Sequence, residues 1–219
     1  MKLSEVLFDQ TAGLWEEAAE KPFVTEMALG TLDKERFRSY MLQDYLYLLD
    51  YIDILNSTMD YTEDPELRSF LQSVIKETQN ESERVHLPNM RKIGIQDDDV
   101  STCVKADVIV EYLDYMRKQL KEGLIAGLTA LLQCSWIYAY IGRRAAEQYP
   151  EAIAVSPFKS WFEAYTCDEY IAGNQKWIDV LDKETAGISP LERDKLCGVF
   201  RMCAIYENRL WDWLYEESV

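Results

Sequence analysis

Two carboxylates stand where helical packing calls for apolar side chains. In the segment DKLCGVFRMCAIYENRLWDWLY, Leu196, Phe200, Cys203, Glu207, Leu210 and Leu214 follow alternating steps of four and three, the spacing of a helical core stripe. Glu207 takes a place in it meant for an apolar residue. An earlier segment repeats the anomaly, with Asp44 in the middle of Phe37, Met41, Leu48, Tyr51 and Leu55. Either acid alone reads as readily as a misdrawn stripe or the partner of a buried arginine as it does a site residue. Burying a carboxylate is costly, so two of them on separate helices shift the balance toward a site. A buried acid has a raised pKa and becomes a candidate proton donor.

A thiol lies on a third stripe. LLQCSWIYAY, residues 131–140, puts Cys134 on one face with Gly127, Leu131, Tyr138, Ile141 and Ala145. A cysteine among such neighbours is ordinarily an inert packing residue, and nothing within the stretch itself suggests otherwise. Tyr138 projects one turn beyond Cys134, and Tyr47 one turn beyond Asp44. The chain has 14 tyrosines, and Tyr40, Tyr45, Tyr61, Tyr149 and Tyr215 read as packing.

The elements that must position these groups are helical almost throughout, because nearly every segment has the 3.6-residue period and none alternates as a strand does. Ser4 is the expected N-cap of a first helix through Trp15 and Ala19, and Lys21-Pro22 breaks it. A short helical piece from Pro22 ends at Gly30, and Asp33 caps a helix running to about Asp60. A helix from Asp64-Pro65-Glu66 extends to about Lys92, kinked or ended early by Pro88. Gln96-Asp97-Asp98-Asp99 reads as a solvated loop. Helices follow at about 104–121, 123–149, 156–184 and 190–216. The expectation is an all-α protein of about seven helices in a single domain, residues 1–219.

Composition narrows the function classes. At 48% hydrophobic and 28% charged, the 219-residue chain is ordinary for a folded protein. Acids outnumber bases 39 to 23, a net charge of −16, so neither nucleic acid nor an anionic membrane surface is expected as a partner. No window approaches 18 uninterrupted apolar residues, and the N-terminus reads as neither a signal nor a transit peptide. Five scattered cysteines without CxxC spacing indicate reduced thiols and a cytoplasmic protein. His86, the only histidine, reads as a helix-surface residue. Histidine-rich metal sites and Ser-His or Cys-His catalytic pairs are therefore not expected.

The chain resembles the TenA family (thiaminase II, aminopyrimidine aminohydrolase) over its whole length. The resemblance is carried by PFVTEMALGTLDKERFRSYMLQDYLYL at 22–48, EYLDYM at 111–116, ALLQCSWIY at 130–138, AYTCDEY at 164–170 and YENRLWDWLY at 206–215. It implies a multi-helix bundle with a haem-oxygenase-like fold. By that resemblance Asp44 is the pyrimidine-binding aspartate and Tyr47 the nearby aromatic. Cys134 is the nucleophile, followed by Tyr138, and Glu207 is the acid/base residue. Tyr165 and Tyr112 are pocket tyrosines. The implied reaction hydrolyses the bond between a pyrimidine-bearing methylene and nitrogen, with no metal and no organic cofactor, in a homotetramer. A helical protein that binds such a pyrimidine without turnover, or regulates by interaction, is the alternative. Three positions depart from the family pattern: Lys21 where HPFV is usual, Gln133 where LLPC is usual, and Leu210 where phenylalanine is common.

Overall fold

The computed structural model describes residues 1–216, and no strand occurs among them. The helices are α1 (Leu3–Ala19), α2 (Pro22–Leu29), α3 (Lys34–Thr58), α4 (Pro65–Glu81), α5 (Leu87–Lys92), α6 (Asp97–Thr102), α7 (Asp107–Glu122), α8 (Leu124–Gln148), α9 (Pro150–Val155), α10 (Lys159–Thr166), α11 (Asp168–Glu184) and α12 (Pro190–Glu216). A 3-10 turn, Met59–Tyr61, follows α3, and a π-helical turn, Ser82–His86, joins α4 to α5. The protein is all-α, as its periodicity predicts.

Local chemistry explains most of the boundaries. Pro22, Pro65, Pro150 and Pro190 each open a helix, where the missing N–H would have no intrahelical acceptor. Asp33 caps α3 by accepting from the amides of Glu35 at 2.8 Å and Arg36 at 3.3 Å. Gly30 ends α2 in the left-handed region at φ 74°, a conformation open to glycine at little cost.

Four expectations are corrected. Ser4 is not a cap: it lies inside α1, where its amide and hydroxyl bond the Asp182 carboxylate at 2.9 and 2.7 Å and tie α1 to α11. Residues 97–99 are not loop but the first turn of α6, where three aspartates meet the positive end of the helix dipole and Asp99 accepts from the Gln96 amide at 2.8 Å. The helix expected over 156–184 divides at Cys167, whose backbone is extended, and 150–155 forms a helix of its own. Pro88 falls in the first turn of α5, after the π-helical turn.

The long helix α8 is the central post, packed by α1, α7, α10, α11 and α12. Two glycines let its neighbours come close. A Cβ on Gly127 would lie 2.8 Å from Leu120 Cδ1, and one on Gly142 would lie 3.3 Å from Tyr165 Cβ. The first sets the approach of α7 and the second that of α10. By length and composition α8 could cross a membrane, but 61% of its most apolar window is buried inside the protein, so its apolarity is that of a core helix. Trp15, Trp136 and Phe200 fill one end of the core, with Trp15–Trp136 centroids 5.2 Å apart.

Candidate active site

The stripes on α3 and α8 converge on a cavity of about 540 Å³, closed on its other sides by α4, α10 and α11. Asp44, Tyr47, Cys134, Tyr138 and Tyr165 all line it. Tyr51, also on the wall, donates to the Leu131 carbonyl at 2.9 Å and locks α3 to α8 one turn before the thiol. Tyr112 and Glu207 lie in the layer behind this wall, each only 1% exposed. The sequence-derived residues therefore gather in one place but in two tiers, five facing the cavity and two beneath them.

Asp44 is tightly held. Its Oδ2 accepts from the Tyr40 hydroxyl at 3.2 Å and lies 2.5 Å from His86 Nε2, while its Oδ1 accepts from Tyr138 at 3.4 Å. Tyr40 is fixed in turn by the Trp161 indole N–H, at 2.8 Å. Two sequence expectations fail here. His86 is not a surface residue: the π-helical turn carries it inward, where it is 1% exposed against Asp44. Tyr40 is not mere packing, since its hydroxyl is spent on the same carboxylate. A spacing signal existed for Tyr40, one helical turn before Asp44 on one face. For His86, separated from Asp44 by 42 positions and reached through a π-helical turn, no periodicity could have supplied one.

Glu207 sits in the opposite kind of environment. Burial pushes its carboxyl up to about 8. Hydrogen bonding from Tyr112 and Cys134 pulls the other way, and the nearby Asp44 charge adds to the rise. Its Oε2 is buried with no hydrogen-bond partner among the described residues. Burial likewise holds Tyr47, Tyr112 and Tyr138 well above the ordinary phenol value. These hydroxyls stay protonated and serve as donors or as polar edges of stacking faces.

Aromatic rings set the cavity's shape. Tyr138 and Tyr165 meet with centroids 5.0 Å apart, and Tyr165 packs against Trp161 at 4.7 Å. On the other side Tyr47 stacks on Tyr112 at 5.8 Å. The outer part of the cavity is more polar, with Glu77, Asn80, Glu169 and Asn174 on its walls. Ser135 donates to Asn174 Oδ1 at 2.9 Å there. Among the described residues, no group of three or more His, Cys, Asp or Glu side chains is placed to hold a metal ion.

A thiol, a buried carboxyl pushed up to about 8 and a second, hydrogen-bonded carboxyl group around an aromatic slot are groups that can support covalent chemistry on a flat ring that bears an amino group. The architecture has well-matched counterparts. A TenA homologue from Pyrococcus furiosus superposes with a TM-score of 0.88 at 20% identity, covering 97% of this chain and 100% of that one. The chain belongs to the TENA/THI-4/PQQC family, whose model matches residues 8–217. Among its relatives is an aminopyrimidine aminohydrolase of Halalkalibacterium halodurans, 28% identical over 100% of this chain and 98% of the relative. A protein of the same description from Helicobacter pylori is 27% identical over 99% and 100% of the two chains.

Proposed function

We propose that this protein is an aminopyrimidine aminohydrolase of thiamin salvage. It hydrolyses the C–N bond at the pyrimidine methylene of 4-amino-5-aminomethyl-2-methylpyrimidine, and of thiamin, to give 4-amino-5-hydroxymethyl-2-methylpyrimidine. The observation that carries the reading is that Cys134 and Asp44 line one aromatic cavity while Glu207, in the layer behind its wall, is close enough to feel the Asp44 charge and to bond the Cys134 thiol. A binding pocket alone has no use for a thiol backed by a carboxyl at about 8.

In this reading Asp44 accepts a hydrogen bond from the exocyclic amine, while Tyr47, Tyr138 and Tyr165 supply stacking faces. The Cys134 thiolate adds to a ring carbon as Glu207 delivers a proton to the ring nitrogen. The electron-rich adduct expels the amine, or the thiazole of thiamin, from the methylene. Water then adds to the methylene carbon and gives up a proton to the departing amine or to solvent, Glu207 takes back the proton of the ring nitrogen, and the thiolate departs as the ring regains aromaticity. A carboxyl that titrates near neutrality suits both directions of transfer. Tyr112 is the hydroxyl partner of Glu207. The same reading makes the protein a cytoplasmic homotetramer that needs no metal or organic cofactor.

The test is turnover of aminomethyl-pyrimidine, its formylated form and thiamin by the wild-type chain and by Cys134→Ala. The variant is expected to fold and to lose hydrolysis to background while still binding the product alcohol. Hydrolysis near the wild-type rate in Cys134→Ala would discard the covalent route. Product binding by the wild type without turnover of any of the three would favour a ligand-binding protein instead.

A further inference from the structure

Gln133 precedes the thiol and is fully buried, at 0% exposure. A helix position so deep ordinarily takes an apolar side chain, because a buried amide must find partners for every polar atom. This amide has one: Tyr112 donates its phenolic proton to Gln133 Oε1 at 3.0 Å. Its Nε2 has no partner among the described residues. An amide buried at such cost for one bond directs attention to what that bond controls.

Tyr112 cannot move its ring. It lies between Tyr47, at 5.8 Å and 28°, and Tyr206, at 5.3 Å and 13°. Its freedom is in the direction of a single O–H. Two acceptors compete for that proton, Gln133 Oε1 and the Glu207 carboxylate. A phenol that donates to Glu207 stabilises the ionised form and pulls its pKa down, the sense in which Tyr112 acts on this carboxyl when its proton points there and not at Gln133. A phenol that donates to Gln133 instead turns its oxygen lone pair toward Glu207 and accepts from the protonated acid.

We propose that Gln133 is a positioning residue that takes the proton of Tyr112 and so keeps the Glu207 carboxyl as the hydrogen-bond donor of the pair. The proposal rests on reading Glu207 as the proton carrier, but its geometry does not depend on any substrate. Ionisation of Glu207 would then require Tyr112 to swing its proton away and leave Gln133 Oε1 buried without a donor. The other titratable groups facing Glu207 are Asp44 and Tyr47 from α3, Cys134 and Tyr138 from α8, and Cys203 one turn back on α12. Burial holds the two tyrosines and Cys203 well above their ordinary values, so they remain neutral through the relevant range. Asp44 and Cys134 keep their side chains in every Gln133 variant, and the Tyr112→Phe background separates their influence from that of the relay.

The experiment titrates the free protein labelled with carboxyl-¹³C glutamate, with the Glu207 resonance assigned by its loss in Glu207→Gln. In Gln133→Met, which keeps the volume but removes the acceptor, the Glu207 midpoint is expected to fall by about one pH unit, a tenfold change in proton affinity. Gln133→Asn withdraws the acceptor by one methylene and is expected to shift the midpoint in the same direction. With Tyr112→Phe as background, Gln133→Met is expected to cause no further shift. An unchanged midpoint in both Gln133 variants overturns the proposal, as does a shift that persists without the Tyr112 hydroxyl. An upward shift overturns it too, because the amide would then be donating to Tyr112. If the chain hydrolyses aminopyrimidines, the alkaline limb of kcat/KM moves with the same midpoint. If it does not, the carboxyl titration still decides the matter.

Discussion

The two buried carboxylates lie close enough for the Asp44 charge to act on Glu207, yet the fold treats them in opposite ways. Asp44 is surrounded by polar partners: two tyrosine hydroxyls that donate to it and the His86 ring, whose Nε2 lies 2.5 Å away. Glu207 is buried with one oxygen unpartnered among the described residues, and desolvation pushes it up to about 8. A carboxylate ringed by donors is held in place and serves as an anchor. One left short of them retains a proton near neutrality and can give it up. In the proposed reading, the difference separates a holding end, with Asp44 on the cavity wall, from a reacting end, with Glu207 in the layer behind it, and substitutions at either can erase it.

The largest effect is expected at the reacting end. Glu207→Gln keeps the shape and removes the proton, so kcat for aminopyrimidine hydrolysis should fall by roughly 10²–10⁴-fold with little change in product affinity. Loss of affinity with kcat intact would reverse the assignment of the two ends. The same variant has a signature in stability. Because the folded value of Glu207 is raised from 4.5 to about 8, the folded state binds the extra proton between those limits. Its contribution to stability is full below 4.5 and is lost as pH climbs through 8. Glu207→Gln should therefore gain on the wild type by about 1.4 kcal/mol per pH unit across that window. Denaturant unfolding at several pH values measures this, and parallel curves for the two proteins would mean that Glu207 is not raised.

At the holding end the effect is expected in binding. Asp44→Ala removes the anchor and should weaken the product alcohol by roughly 10–100-fold, the worth of about one charge-assisted hydrogen bond. Calorimetry reads it directly. An unchanged affinity would leave Asp44 as a purely structural partner of His86, and the comparison would collapse.

Both carboxylates were legible as stripe anomalies because helical periodicity fixes which residues share a face. Asp44 and Glu207 could be picked out with no knowledge of how the helices pack. Cys134 was legible only through resemblance, since a thiol on an apolar stripe looks the same whether it packs or reacts. What surrounds the acids was not legible. His86 reaches Asp44 through a π-helical turn, and a period of 3.6 residues projected across residues 82–86 points the ring elsewhere. The break at Cys167 was missed for a related reason: α10 and α11 are both amphipathic, and one extended residue between them leaves no glycine or proline in the sequence to mark it. Periodicity reports faces, whereas the orientation of the pocket depends on where helices stop and turn.

His86 offers the smallest of these effects and the finest test of the contrast. Asp44 has three hydrogen-bond partners, so the loss of one should loosen the anchor without releasing it. His86→Leu leaves Tyr40 and Tyr138 in place, and product affinity should fall by about tenfold or less, near the worth of one hydrogen bond to a charged group. His86→Gln can present an amide N–H near the position of Nε2 and should recover most of that loss. Turnover at saturating substrate should change little in either variant, because His86 meets Asp44 and does not line the cavity. A large fall in kcat with affinity intact would mean that His86 takes part in proton transfer. The holding end would then share the chemistry now assigned to Glu207 alone.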